Sequence, residues 1–196
     1  MTDDTPRQDA QTGAALVRAL EDGRSYWQPV PANGFVRCLI DSVEVGADHP
    51  FSIGTQTVAP GGCYVRTHAH DRHEEVLYFL SGAGRIEIDD AATVARAEPG
   101  TIVFVGRNRR HSFINDGDEP LTFLWLLMPA GIERFFERIG RPRRPGEPAP
   151  EPFPRPDNVA QIEAETVCTP PPPPGPKHEE GGMGSIEERD YRTAPS

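Results

Sequence analysis

The stretch GCYVRTHAHDRHEEVLYFLSG, residues 62–82, decides how the rest of the chain is read. His68 and His70 stand one residue apart at the end of a predicted strand, where a repeat of two puts both imidazoles on one face. Glu75 opens the next run, and a tight turn over residues 71–74 brings its carboxylate back beside the two rings. A third imidazole, His111, opens the run HSFIN further along, just after GRNRR. His-x-His alone is a weak signal, and unrelated surface histidines are the bland alternative. If a sheet closes over these runs, however, three imidazoles and one carboxylate converge inside it. Such a mixed nitrogen and oxygen set suits Fe, Mn, Ni, Zn or Cu as a divalent ion and leaves one or two positions open.

Outward from this stretch, residues 35–130 alternate short β-branched or aromatic runs with Gly, Pro and Asp/Asn clusters. The runs are FVRCLIDSVEV, FSIGTQTVA, GCYVRTHAH, EVLYFLSG, GRIEID, TIVFV, HSFIN and LTFLWLLM. Eight short strands with tight turns and no long helix predict an all-β closed barrel or two-sheet jelly roll. Residues 1–34 form an N-terminal extension with a short helix predicted over 13–20, ended by Gly23. After the barrel, residues 131–141 carry Ile132, Phe135, Phe136 and Ile139 at helical spacing, so a stripe must be buried on the barrel or across a dimer seam. Gly140 stands where a left-handed C-terminal cap belongs.

Residues 142–196 hold 14 of the 22 prolines, including the run Pro170 to Pro174, and read as an extended Pro-rich arm. Within it, DNVAQIEAETVC predicts a short helix packed on the main body or on a partner subunit. The last twenty residues are polar and Gly-rich, a composition that predicts disorder. That unequal distribution agrees with a hydrophobic content of 36%, low for a chain that is core throughout.

The formal net charge of −10 disfavours nucleic acid and anionic membranes as partners. No run of about 18 apolar residues is present to span a membrane. Nor does the N-terminus show a secretory signal, and Cys38, Cys63 and Cys168 include no CxxC pair, so a reducing cytoplasm is the expected compartment.

The chain resembles the cupin superfamily. The first cupin motif, G-x5-H-x-H-x(3,4)-E-x6-G, is met by Gly62, His68, His70, Glu75 and Gly82. Only Glu75, and not Glu74, leaves the required interval before Gly82. The second motif, G-x5-P-x-G-x2-H-x3-N, is met by Gly100, His111 and Asn115, with Gly106 in place of its Pro and Asn108 in place of its second Gly. The resemblance implies a double-stranded β-helix holding one divalent transition metal, iron above the others, on His68, His70, Glu75 and His111. The PAGIERFF helix and the Pro-rich stretch after it are similar, more loosely, to single-domain quercetin dioxygenase-like cupins.

Strand alternation suggests what surrounds such a centre. Without a bulge in Gly62–His70, Tyr64 and Arg66 share the face of the two histidines. Arg66 then either anchors a substrate anion or pairs with a surface carboxylate. Tyr64 offers a hydroxyl to substrate, or packs in the core with that hydroxyl satisfied. Phe79 shares the face of Glu75, and Phe113 that of His111. Trp125 lies with Phe123 and Leu127 on one face of the last long run, inner or outer; on the inner face these aromatics give an apolar cavity suited to a small molecule. Cys63 falls on the face opposite His68, Asn115 fixes a turn, and His73 is expected in an exposed loop. The resemblance to quercetin dioxygenase-like cupins implies a metal-dependent dioxygenase, an oxidoreductase acting on a small phenolic, enolic or anionic substrate, with Glu75 also placed to act as base. The alternatives are a non-redox decarboxylase, isomerase or lyase with Mn, Zn or Ni, and a non-catalytic binding cupin. A homodimer is expected, formed through the Phe135/Phe136 stripe or the Pro-rich arm.

Overall fold

A computed structural model describes residues 13–89 and 95–166 of the chain. The strands are β1 (Arg24–Trp27), β2 (Phe35–Asp41), β3 (Ser52–Val58), β4 (Tyr64–His68), β5 (Glu74–Ser81), β6 (Gly84–Ile88), β7 (Ala95–Ala97), β8 (Ile102–Val105), β9 (His111–Ile114), β10 (Leu121–Met128) and β11 (Arg141–Pro142). Among the described residues there are also three short helices, α1 (Ser42–Val45), α2 (Ile132–Ile139) and α3 (Val159–Glu165). The strands form a seven-stranded sheet, β11-β1-β2-β3-β10-β5-β8, and a four-stranded one, β4-β9-β6-β7, and every pairing is antiparallel. The predicted jelly roll is therefore present.

Alternation explains why the sheets face each other. Along β10, Leu121, Phe123, Trp125 and Leu127 are buried while the residues between them are half-buried, which puts these four on the inner face. Phe79, Phe113 and Phe123 pack ring against ring at 5.3–5.9 Å between centroids, linking both sheets through one core. Trp125 lies opposite Gly54 of β3, where a Cβ would stand 2.4 Å from the indole Cζ2. Only glycine leaves room for that ring.

Several expectations about local structure are corrected. The run FVRCLIDSVEV is not one strand: the Asp41 carboxylate accepts the Glu44 N–H at 2.9 Å, capping α1, and Gly46 ends that turn at φ 60°. No helix forms over residues 13–20. Asp22 instead closes a turn on Ala19, accepting its N–H, and Val17 is left in solvent with no packing to sustain an isolated helical turn. Strands β1, β7 and β11, too short to stand out in the pattern, are added by pairing with their neighbours. Helix α2 does form, yet Gly140 is extended (φ −97°) rather than left-handed. A Cβ there would meet Trp27 O at 2.6 Å, so close packing rather than handedness requires the glycine.

The α2 stripe is buried on the chain's own barrel, with Phe136 5.7 Å from Trp125, so it is not free to form a dimer seam. The arm also docks. The Val30 N–H donates to Phe153 O at 2.9 Å, the Arg141 guanidinium lies 4.0 Å from the buried Phe153 ring, and Trp27 Nε1 donates to Glu147. Ile162 of α3 is buried in the common core. Residues 142–166 are thus an extended strap on the protein's own body, ending in the predicted short helix. Pro170 to Pro174, Cys168 and the last twenty residues lie outside the described residues. Among the described residues, no helix is long and apolar enough to cross a membrane.

Candidate metal centre

Pairing alone begins to assemble the site. His68 of β4 stands opposite His111 of β9, and Glu75 of β5 is held between Val105 of β8 and Leu127 of β10. Beyond β4, His70 is fixed by its own backbone: the Asn108 N–H donates to His70 O at 2.7 Å. Asn108 is left-handed, at φ 62°, as an asparagine tolerates. The turn of the second motif therefore clamps the first, despite its two departures from the usual residues. His68, His70, Glu75 and His111 each offer a ligand atom, and all four atoms lie within 4.8 Å of one another. Of the two adjacent glutamates, Glu75 is buried and Glu74 exposed.

The hydrogen bonds behind the rings fix which nitrogen faces inward. His68 Nδ1 lies 2.8 Å from Arg66 O, and His111 Nδ1 lies 2.9 Å from Arg109 O. A carbonyl can only accept, so each Nδ1 donates its N–H, and in the neutral ring each Nε2 then turns a lone pair inward. His111 Nε2 faces Glu75 Oε2 at 3.1 Å, and neither atom has a hydrogen-bond partner among the described residues. Two acceptors at that distance in a buried place call for a cation between them. Metal–ligand bonds of about 2.0–2.2 Å keep any two donors of one ion within about 4.4 Å, and the donors here, all within 4.8 Å, come near that limit. The residues fit a divalent metal, and the backbone carbonyls behind the rings are the supporting contacts that such ligands need.

Charge states agree. Burial, then the neighbouring imidazoles of His111 and His70, push His68 well below the ordinary histidine value, which keeps its lone pair available. Burial works against the Glu75 charge, but the His111 and His70 rings, where they carry a second proton and donate it to the carboxylate, outweigh burial and hold the carboxyl below its usual range.

His68 and Glu75 open onto a cavity of about 160 Å³ walled by Phe113, Phe123, Trp125 and the α2 aromatics Phe135 and Phe136. That compares with the roughly 150 Å³ cavity known to admit benzene. Phe113 and Trp125 thus fall where the sequence puts them. Phe79 does not: it is fully buried behind Phe113 and Phe123 and takes no part in the wall. Tyr64 is at the rim, 41% exposed, not packed in the core.

The premise of an unbroken β4 fails. Tyr64 pairs with Ile114 and Val65 with Phe113, but His68 pairs with His111, so one extra residue bulges the strand between Val65 and His68. The alternation therefore slips, and Val65 turns to the core while Tyr64 and Arg66 stay at the cavity mouth. Arg66 lies 3.8 Å from Glu163 of α3 and also lines the cavity.

His73 is buried rather than exposed. Burial, then the His70 ring 6.1 Å away, pushes its imidazole down. Cys63 packs against the core, and Asn115 does fix a turn: its Nδ2 donates to the carbonyls of Val58, Ala59 and Glu119. Sequence reasoning missed Gln28, Gln56, Arg155 and Glu163, all of which line the cavity. Gln56 was detectable as the polar residue between Gly54 and Val58 on the inward face of β3.

Residues 54–127, which include all four donors, match the Cupin domain family. Protein SchB of Streptomyces halstedii is 32% identical over 104 residues, covering 51% of this chain and 72% of that protein. Among solved structures, the polyketide cyclase RemF from Streptomyces resistomycificus aligns at 24% identity over 59% of this chain and 81% of its own, with a TM-score of 0.50. A predicted oxalate decarboxylase from Thermotoga maritima aligns at 18% identity over 59% of this chain and all (100%) of its own, with a TM-score of 0.51. At those identities the two structures speak for the fold alone. The paired motifs, the two facing sheets, the converging donors and a relative matched over most of its length lead to one conclusion: the chain belongs to the cupin superfamily.

Proposed function

We propose that this cupin is a mononuclear metal enzyme, a dioxygenase that adds both atoms of O2 to a small phenolic or enolic substrate. The observation that carries this reading is the buried Glu75 carboxyl beside a histidine donor at the floor of an aromatic-walled cavity. A divalent transition metal on His68, His70, Glu75 and His111, with iron the first choice, would lower the pKa of a bound hydroxyl and, if redox-active, pass substrate electrons to O2. The protein does the rest. Phe113, Phe123 and Trp125 stack on a flat substrate and exclude water, which strengthens every charge interaction inside. Gln56, buried opposite Phe123, offers an amide to a substrate oxygen. Glu75 accepts the hydroxyl proton in the role of general base, through a carboxylate oxygen that is not bound to the metal.

A second reading is non-redox proton transfer: isomerisation, decarboxylation or elimination on the same residues. It is favoured by the place of Glu75 at the cavity floor, where a carboxylate can act as a base that needs no oxygen. The two separate in an oxygen electrode. The metal-loaded protein is incubated with a panel of phenols and enols, in air and under anoxia. Substrate loss matched mole for mole by O2 uptake supports the dioxygenase, whereas equal turnover under anoxia replaces it with the second reading.

A further inference from the structure

Three charged side chains share the cavity mouth, and two of them come from the strap that follows the barrel. Arg155, on the extended segment before α3, donates to Glu163 at 2.8 Å, and both side chains are mostly buried, 15% and 18% exposed. Arg66, from the bulged end of β4, reaches the same Glu163 oxygen only at 3.8 Å, and its side chain is 51% exposed. One carboxylate therefore faces two guanidinium groups at the cavity mouth. Arg66 is the one placed to meet a ligand, because its contact with Glu163 is too long for a hydrogen bond and its head is open to the cavity. Its backbone is not free to drift: Arg66 O accepts the His68 Nδ1–H, which ties this residue to the donor cluster.

We infer that Arg66, braced by the Glu163–Arg155 pair of the C-terminal strap, is an anion subsite that binds a carboxylate of the substrate at the end away from the metal donors. This rests on the reading of the cavity as the substrate site and adds a substrate class to it, the hydroxyaryl carboxylates. Arg66 is the binding residue. Glu163 competes weakly with the incoming carboxylate, and Arg155 is a positioning residue that holds Glu163 aside. Bidentate pairing of a guanidinium with a carboxylate in a half-buried place gives a charge-assisted bond on which specificity can be built.

The test uses the full chain loaded with cobalt(II), whose visible absorption reports ligands entering the cavity, and two matched pairs of probes. The pairs are phenol with 4-hydroxybenzoate and 2-naphthol with 6-hydroxy-2-naphthoate, titrated at low salt. In at least one pair, the carboxylate is expected to bind about tenfold tighter than the neutral probe. Arg66→Gln removes that preference while affinity for the neutral probe is kept, which also shows that the variant folds. Arg155→Gln reduces the preference, because Glu163 is released to occupy Arg66. Glu163→Gln raises it several-fold, an outcome that a merely structural role for Glu163 would not give. If neutral probes bind but neither carboxylate gains, or if Arg66→Gln keeps the preference, the anion subsite is refuted and the cavity reading stands. If no probe perturbs the cobalt spectrum, both fall.

Discussion

Glu75→Gln gives the sharpest test of the donor cluster, because it should raise the stability of the metal-free protein. With Nδ1 of His111 committed to Arg109 O, His111 Nε2 and Glu75 Oε2 meet as two acceptors at 3.1 Å, in a place where Glu75 is 4% exposed. A glutamine amide turns that contact into a hydrogen bond, N–H to Nε2, and removes a buried charge. Relieving one buried unsatisfied contact is worth about 1–3 kcal/mol. For a chain of this length, each kcal/mol moves the melting temperature by about 2–4 °C. The metal-free variant should therefore melt about 2–12 °C above the metal-free wild type. Metal reverses the order. At one hundred times its dissociation constant, a bound ion stabilises the wild type by about 2.7 kcal/mol. The variant, with one ligand weakened, gains far less at the same concentration. Scanning calorimetry at pH 8.5, where an unperturbed imidazole carries a single proton, measures both arms with chelator and with metal. A metal-free variant less stable than the wild type would refute the assigned tautomer, because it would mean that a histidine proton already joins the two atoms.

Three further outcomes follow from features outside the cluster. Gly54→Ala forces a Cβ to 2.1 Å from Arg37 O and 2.4 Å from the Trp125 ring, so it should cost about 1–3 kcal/mol in denaturant unfolding and distort the cavity wall. Glu21, bonded to Arg37 and Arg143, has its carboxyl held down to about 2. The balance is set by the Arg37 bond against the cost of burial, with Arg143 adding to it. A depressed carboxylate stabilises above its unfolded pKa and loses that contribution as pH falls from about 4.5 through about 2. Because Glu21 is 39% exposed, the stability difference between wild type and Glu21→Gln should be only about 0.5–1 kcal/mol at pH 6, vanishing near pH 2. The homodimer, if formed, should use the outer face of β5 and edge strand β8, where Tyr78, Leu80, Ile102 and Phe104 are 42%, 43%, 69% and 62% exposed. Sedimentation should give twice the 21.5 kDa chain mass, and Phe104→Lys should shift it to the monomer; a wild-type monomer at micromolar concentration would rule the dimer out.

How far the sequence could be read depended on the range of the interaction that sets each feature. Alternation along LTFLWLLM is local, since each inner residue is chosen by its own strand, and it correctly paired Phe123 with Trp125 and Leu127. The four donors were legible for a similar reason: their spacing is imposed by two tight turns, and those turns are written in the chain. Parity failed at Tyr64 and Arg66 because a bulge is set by the partner strand, here by how β9 registers His111 against His68, and nothing in Val65-Arg66-Thr67 announces it. The same limit applies to His73, which is buried and whose ring meets the backbone of Ala130, far along the chain. It applies most to the strap: proline composition said extended, which is right, but extended chain docks wherever it finds partners. Here Val30, Trp27 and Arg141 provide them. The family match ends at residue 127, before Ile132, Phe135, Phe136, Arg155 and Glu163, yet these residues complete the cavity. The matched barrel supplies the donors that could hold the metal, whereas much of the wall that would select a substrate comes from segments that the barrel pattern does not reach. A substrate assignment carried over from another cupin would therefore transfer the chemistry of the floor without the shape of the mouth.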